Sequence, residues 1–176
     1  MSTDPIRAIG ISGSPSPTSR SRLLVQHALE YLDSLGAPSQ MIDLGDLPAE
    51  ALLGRAQHDD LTRALAELAA SRVLVVGTPI YRATYTGLLK VFFDLLPAEA
   101  LKGTVTLLIA TGGGPAHLLM VDHGLRPLIA SLAGLTTARA IYATPADFDG
   151  PDPNAALRAS LHAAADEALN LARAQR

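Results

Sequence analysis

Short apolar runs alternate along the chain with longer segments in which apolar residues recur every three or four positions. The apolar runs predict five strands, at 6–11, 40–44, 73–76, 104–110 and 138–142. The helical spacing predicts helices at 23–35, 61–71, 84–95, 115–132 and 155–174, with Pro127 kinking or dividing the fourth of them. We expect residues 46–59 to be irregular or partly helical and residues 144–154 to form a loop.

Strands that alternate with helices favour an α/β fold, in which one parallel sheet is covered by helices on both faces. Five strands of this kind suggest a three-layer sandwich with strand order 2-1-3-4-5. The 176 residues show no repeat or linker, so we expect a single domain spanning 1–176. Ligands of such sheets bind beyond the carboxyl ends of the strands, which directs attention to the loops after the first, third and fourth strands.

The loop after the first strand, residues 10–22, is dense in hydroxyl groups and ends in two arginines. Its glycines permit a tight turn, and the helix that follows presents an N-terminus that favours an anion. A helix cap explains one hydroxyl, so the density predicts a cradle for the phosphate of a mononucleotide. The predicted phosphate contacts are Ser12, Ser14, Ser19, Arg20 and Ser21. The dinucleotide fingerprint, the P-loop and a complete nucleophile elbow are all missing from this loop.

The loops after the third and fourth strands are predicted to receive the flat ring of the same ligand. Backbone amides at 80–82 suit the pyrimidine edge of a flavin, and three consecutive glycines at 112–114 allow a planar ring to approach closely. Arg82 is open to three interpretations: stacking, binding a nicotinamide nucleotide phosphate, or simple exposure. The predicted contacts here are Pro79, Ile80, Tyr81, Arg82, Thr111, Gly112, Gly113 and His117.

Composition narrows the function classes. A formal net charge of -3 gives no reason to expect nucleic acid, and no apolar stretch is long enough to predict a membrane span. The chain has no cysteine, which excludes thiolate chemistry and fits a reducing cytoplasm, and its N-terminus lacks the pattern of a signal peptide. Without Trp and with few aromatics, the chain is expected to grip a flat ligand mainly by backbone and aliphatic groups.

The remaining polar clusters predict no catalytic residue and no metal site. His117, Asp122 and His123 lack a recognised metal-ligand spacing, and no nucleophile, acid and base form a set. Residues 58–60 look like a helix cap. His162 and Asp166 stand four apart on the last helix and are expected to be an exposed pair.

Several segments together resemble the NAD(P)H-dependent FMN reductases. They are Gly13-Ser14-Pro15 with Ser19-Arg20-Ser21, then Thr78-Pro79-Ile80-Tyr81, Gly87-Leu88-Leu89-Lys90, Asp94-Leu95-Leu96-Pro97 and Ala110-Thr111-Gly112-Gly113. The segment Ala116-His117-Leu118-Leu119-x-Val121-Asp122 is similar to the branch that serves two-component alkanesulfonate monooxygenases. The resemblance covers about residues 6–143 and departs at Ser16, where many relatives carry an Arg for which Arg20 would compensate.

The resemblance implies a flavodoxin-like fold, FMN as cofactor, NADPH or NADH as reductant, and a homodimer or homotetramer. It implies an FMN reductase that supplies reduced FMN to a partner monooxygenase of the sulfonate-desulfurising type. Three alternatives stay open: an FMN-containing quinone, azo or metal-ion reductase, a flavodoxin-like electron carrier, and a non-flavin mononucleotide binder. Some members of the branch carry an inserted aromatic residue that makes a π-bulge, and His123 stands at the comparable place. We therefore predict an irregular turn over 121–125 that tunes flavin retention or assembly.

Overall fold

The computed structural model describes residues 5–175 and shows one parallel sheet between two layers of helices. Its strands are β1 (Ala8–Ser12), β2 (Ser39–Asp43), β3 (Val73–Pro79), β4 (Val105–Thr111), β5 (Leu135–Thr136) and β6 (Ile141–Ala143). The strand order is β2-β1-β3-β4-β5, and β6 also pairs with β4. The predicted α/β class and the order 2-1-3-4-5 are confirmed.

The edge of the sheet beside β4 differs from the prediction of one strand at 138–142. β5 pairs with the start of β4 and β6 with its end, so the edge is interrupted between them. Side chains take the backbone groups in the interruption: Arg126 donates to the carbonyls of Thr137 and Ala138 at 2.7 and 2.8 Å, and Glu167 accepts the amide of Ala138 at 2.5 Å. Backbone groups that are bonded to side chains in this way do not need hydrogen-bond partners in a neighbouring strand.

The helices are α1 (Arg20–Ser34), α2 (Ala49–Leu52), α3 (Asp59–Ala69), α4 (Gly87–Asp94), α5 (Arg126–Ala130) and α6 (Ala155–Ala174). α1 and α6 pack on one face of the sheet, and the other helices pack on the opposite face. Alternate residues of β3 divide between the two cores, Val73 and Val75 facing one and Leu74 and Val76 the other. Both faces are therefore apolar, as a buried parallel sheet requires.

The region predicted as one helix at 115–132 consists of three short pieces. A 3-10 turn at Pro115–His117 leads to a π-helix at Val121–Leu125, and α5 follows with Pro127 in its first turn. The irregular turn at 121–125 is confirmed. The change from π-helix to α-helix falls between Leu125 and Arg126, so the structure shows no division at Pro127 itself. Proline is tolerated in the first turn of a helix because its missing N–H has no intrahelical partner there.

Two local expectations in the C-terminal part are wrong. The predicted loop at 144–154 contains a 3-10 turn and a small hairpin of β7 (Phe148–Asp149) and β8 (Asp152–Pro153). The expected exposed pair of His162 and Asp166 instead joins α6 to α1: the His162 ring stacks on Tyr31 at 3.9 Å, and Asp166 accepts the Tyr31 hydroxyl at 3.2 Å.

Two helices begin at residues other than the predicted ones. His58 caps α3 by accepting the amide of Asp60, which confirms the predicted cap. α4 begins at Gly87 and not at 84, because Tyr81 and Thr84 close a tight turn through reciprocal backbone bonds. Within the described residues, no helix combines the length and hydropathy needed to cross a bilayer.

Candidate functional site

The loops at the carboxyl ends of the strands are joined to one another by backbone hydrogen bonds. The Gly13 amide donates to the Gly77 carbonyl at 2.8 Å, which ties the first loop to β3. The Ile80 amide donates to the Thr111 carbonyl at 2.8 Å, and the Gly112 amide donates to the Ala143 carbonyl at 3.0 Å. The loops after β1, β3, β4 and β6 therefore form one continuous wall, as expected for this class of sheet.

A cavity of about 310 Å³ lies along this wall. It is lined by Ser19, Arg20, Pro79, Ile80, Tyr81, Thr111, Gly112, Gly113, Ala143, Thr144 and Pro145. The first eight belong to the predicted site, so the structure brings together residues from three separate loops. The sequence analysis missed Ala143, Thr144 and Pro145. Ala143 ends β6 and the other two follow it, so the carboxyl end of the last strand of the sheet was the signal that pointed to them.

Five predicted site residues lie outside the cavity lining, namely Ser12, Ser14, Ser21, Arg82 and His117. The three serines are buried, in β1, in the first loop and in α1 respectively, whereas Arg82 and His117 are exposed. The serines therefore lie outside the space that the ring of a ligand would occupy. The binding roles of all thirteen residues stay predictions.

The hydroxyls of the first loop are only partly used within the protein. Ser19 stands at the N-cap of α1 but makes no capping hydrogen bond, and its hydroxyl shares a 2.8 Å bond with Ser21. Ser14 Oγ accepts the amide of Ser16 at 3.1 Å. Ser12 Oγ is fully buried and finds no partner among the described residues. An unpaired buried hydroxyl is costly, so its presence at this strand end fits a ligand with acceptor oxygens.

The two arginines at the start of α1 have different surroundings. The Arg22 guanidinium is bound to Asp43 at 2.5 Å. The Arg20 guanidinium lies over the Phe148 ring, 4.8 Å from its centre, and Arg20 also lines the cavity. Within the described part of the chain, Arg20 forms no ion pair, so its charge is available to an anion.

The loop after β3 corrects one detail of the predicted ring contacts. The Ile80 amide is bonded to Thr111, and the Tyr81 amide donates to the Thr84 carbonyl at 2.9 Å. These two amides therefore do not face a ring, contrary to the prediction. Arg82 and Ala83 both have positive φ, at 52° and 68°, in the turn that places Tyr81 at the cavity edge. Non-glycine residues with positive φ are strained and concentrate at functional sites.

The glycine loop after β4 gives a ligand close access to the backbone. A Cβ at Gly113 would meet nothing within 4 Å, whereas a Cβ at Gly112 would collide with the side chain of Tyr142 behind the loop. One side of the loop is therefore packed on the protein, and the other is open to a flat group. Together with the hydroxyls and arginine of the first loop, this donor set fits a mononucleotide whose phosphate and ring lie at different ends of the wall.

The fold and this wall define a flavodoxin-like, flavin-binding protein. The sequence model of the NADPH-dependent FMN reductase family matches residues 6–149. The chain therefore belongs to this family. It is 40% identical over 151 residues to an FMN reductase (NADPH) of Pseudomonas aeruginosa, covering 84% of this chain and 81% of the relative. It is 37% identical over 172 residues to the NADH-dependent FMN reductase SfnF of Pseudomonas fluorescens, covering 95% and 92%.

A solved structure supports the same assignment. The apo form of the NADH:FMN oxidoreductase EmoB superposes with a TM-score of 0.86 at 34% identity, covering 96% of this chain and 89% of that chain. The predicted family, the enzyme class of NAD(P)H:FMN oxidoreductase and the use of FMN with a nicotinamide nucleotide are thus confirmed.

Ser12 gives a direct test of the phosphate loop. In Ser12→Ala we expect the free energy of unfolding of the FMN-free protein to rise by up to about 1 kcal/mol, because an unpaired buried hydroxyl is removed. FMN affinity should fall roughly tenfold, because a bond to a charged phosphate oxygen is lost. Urea unfolding and quenching of FMN fluorescence measure the two effects.

Thr106 provides the matched control for Ser12. Its hydroxyl is also buried and unpartnered within the described residues, but it lies near the amino end of β4. Thr106→Val should stabilise the protein and leave FMN affinity unchanged. If Ser12→Ala also leaves FMN affinity unchanged, the predicted contact between Ser12 and the phosphate is contradicted.

Proposed function

We propose that the protein transfers hydride from NADPH or NADH to FMN and releases the reduced FMN to a partner monooxygenase of the sulfonate-desulfurising type. The composition of the cavity wall is the observation that supports the release of reduced FMN. Its one aromatic lining residue, Tyr81, is itself 50% exposed. Large aromatic contact surfaces stabilise flat ligands strongly, so a wall made mainly of backbone and small side chains supports a flavin that exchanges.

The names of the relatives agree with this role, since they present FMN as the compound that is reduced. FMN, when bound, supplies the hydride-accepting chemistry. The chain's own residues bind and orient: the first loop and Arg20 hold the phosphate, and Gly112 and Gly113 support one face of the ring. The exposed Arg82 adds positive charge at the rim, which favours the phosphates of a nicotinamide nucleotide.

Anaerobic oxidation of NAD(P)H by the FMN-free protein, followed as FMN is titrated, tests the proposal. We expect saturation with FMN and many turnovers per enzyme, because reduced FMN leaves the protein. A single stoichiometric reduction that continues only when a quinone or other acceptor is added would mean that FMN stays bound, and would identify the enzyme as an acceptor reductase.

The monooxygenase partner needs its own measurement. With a purified FMNH2-dependent sulfonate monooxygenase, a sulfonate, oxygen and NAD(P)H, sulfite release should depend on this protein and on catalytic FMN. Sulfite release that stays at background, although free FMN is being reduced, would remove the monooxygenase role and leave the reductase activity intact.

Self-association and location complete the proposal. Leu118 and Leu119 are 51% and 63% exposed just before the π-helix, which supports a homodimer or homotetramer through this face. Leu119→Asp should shift the sedimentation coefficient toward that of a monomer, and an unchanged coefficient would contradict this interface.

The lack of cysteine and the need for NAD(P)H support a cytoplasmic location. The role of His123 in flavin retention stays a prediction.

A further inference from the structure

Tyr142 on β6 packs behind the glycine loop at 112–114. Its hydroxyl donates to the carbonyl of Gly114. A Cβ added to Gly112 would lie 3.1 Å from Cζ of Tyr142 and closer still to the hydroxyl. The phenol therefore fills the space behind the loop, and an alanine at position 112 would have to displace it. Tyr142 does not line the cavity itself, so any influence on a ligand passes through the loop.

Three consecutive glycines are the part of the wall with the greatest conformational freedom. Fixing the backbone of a flexible residue costs conformational entropy, so a loop that becomes ordered only on binding lowers the affinity of its ligand. Two bonds restrain this loop: the Gly112 amide to the Ala143 carbonyl at 3.0 Å, and the Tyr142 hydroxyl to the Gly114 carbonyl. They stand on either side of Gly113, whose outer face is open.

The Tyr142 bond also sets the direction of one dipole. The Gly114 carbonyl oxygen accepts a hydrogen bond from the phenol, and neither Gly114 nor Tyr142 lines the cavity. A reduced flavin carries more negative charge than the oxidised form, and a carbonyl oxygen facing it would be unfavourable. Burial raises the pKa of the Tyr142 phenol, so the hydroxyl stays protonated and remains a donor at neutral pH.

We propose that Tyr142 is a positioning residue that holds Gly112–Gly114 in the conformation that receives the flavin ring. This inference rests on the proposed function in placing the ring at the loop. The hydroxyl preorganises the loop before the ligand arrives, and the aromatic ring keeps Gly112 packed against β6.

Tyr142→Phe tests the role of the hydroxyl, because it removes one oxygen and keeps the ring that supports Gly112. We expect KM for FMN and the FMN dissociation constant to rise roughly 5- to 10-fold, with kcat unchanged at saturating FMN. In the FMN-free protein, amide hydrogen exchange at 112–114 should become faster, since the loop loses one of its two restraints. Gly112→Ala, which displaces the same phenol, should change both measurements in the same direction.

Tyr31→Phe is the matched control. Its hydroxyl is also bonded, to both carboxylate oxygens of Asp166 at 3.2 Å, but it lies between α1 and α6. This variant should leave FMN binding and exchange at 112–114 unchanged, even if its unfolding temperature falls.

The outcomes separate the positioning role from the proposed function. Unchanged exchange in Tyr142→Phe, or faster exchange with unchanged FMN affinity, would overturn the positioning role. If the wild-type protein itself failed to bind FMN, the proposed function would fall, while the exchange measurement on the FMN-free protein would still show whether Tyr142 orders the loop.

Discussion

Gly77→Ala is expected to destabilise the protein by about 3 kcal/mol and to raise KM for FMN more than tenfold. Gly77 lies in β3 directly beneath the first turn of α1. An added Cβ would lie 2.9 Å from the backbone oxygen of Ser21 and even closer to Cγ2 of Val25. Val25 is β-branched and fully buried, so it has no free rotamer into which to retreat.

The expected loss of FMN affinity follows from the position of the collision. The methyl group would push the first turn of α1 away from the sheet, and that turn carries Arg20 and Ser21. The Gly77 carbonyl also accepts the Gly13 amide at 2.8 Å, so the first loop would move with the helix. Urea unfolding of the FMN-free protein measures the destabilisation, and steady-state kinetics measure KM.

Gly87→Ala is the control for Gly77→Ala. Gly87 begins α4, and a Cβ there would meet nothing within 4 Å. Alanine restricts the unfolded chain more than glycine, so this variant should gain up to about 1 kcal/mol of stability. If Gly77→Ala were as stable as Gly87→Ala, the close packing of α1 on β3 would not be the reason for glycine at position 77.

The sequence alone was sufficient for the strand order of the sheet and for most of the residues that line the cavity. β3 and β4 are continuous apolar runs with both faces buried, and such runs are recognisable without knowledge of the rest of the chain. Once the strands alternate with helices, the position of the loops at one edge follows from the topology. This reasoning brought Ser19, Pro79 and Gly113 together, although they are far apart in the chain.

The parts that could not be predicted depend on contacts between distant side chains and backbone. The interruption of the edge between β5 and β6 exists because Arg126 and Glu167 occupy its backbone groups. The hairpin containing Phe148 brings an aromatic ring beneath Arg20, more than a hundred residues away in sequence. Local periodicity carries no information about such pairs, so the strand at 138–142 and the loop at 144–154 were predicted too simply.

The second large effect is expected at Thr86, whose hydroxyl joins the first loop to α4. Thr86 is almost completely buried. Its Oγ1 donates to the Gly13 carbonyl at 2.5 Å and accepts the Leu89 amide at 3.1 Å, which caps α4. Its amide in turn donates to Thr78 Oγ1 at 3.2 Å, at the end of β3. The side chain and the amide of Thr86 together therefore hold the first loop, a strand end and a helix start in a fixed relation.

Thr86→Val keeps the shape of the side chain and removes the hydroxyl. The Gly13 carbonyl and the Leu89 amide then lose their partner in the interior, and each unsatisfied buried group costs about 1–3 kcal/mol. We expect the free energy of unfolding to fall by about 3 kcal/mol in total, including the lost helix cap. KM for FMN should rise as well, because the bond that fixes Gly13 in the first loop is gone.

Thr86→Ser distinguishes the hydroxyl from the methyl group. Serine retains both the donor and the acceptor, so its stability should lie within about 1 kcal/mol of the wild type and its KM for FMN should be nearly unchanged. If valine and serine were equally stable, the hydrogen bonds of Thr86 would contribute nothing and packing alone would hold α4. If valine lost stability without any change in KM, the first loop would not depend on Thr86 for its FMN-binding conformation.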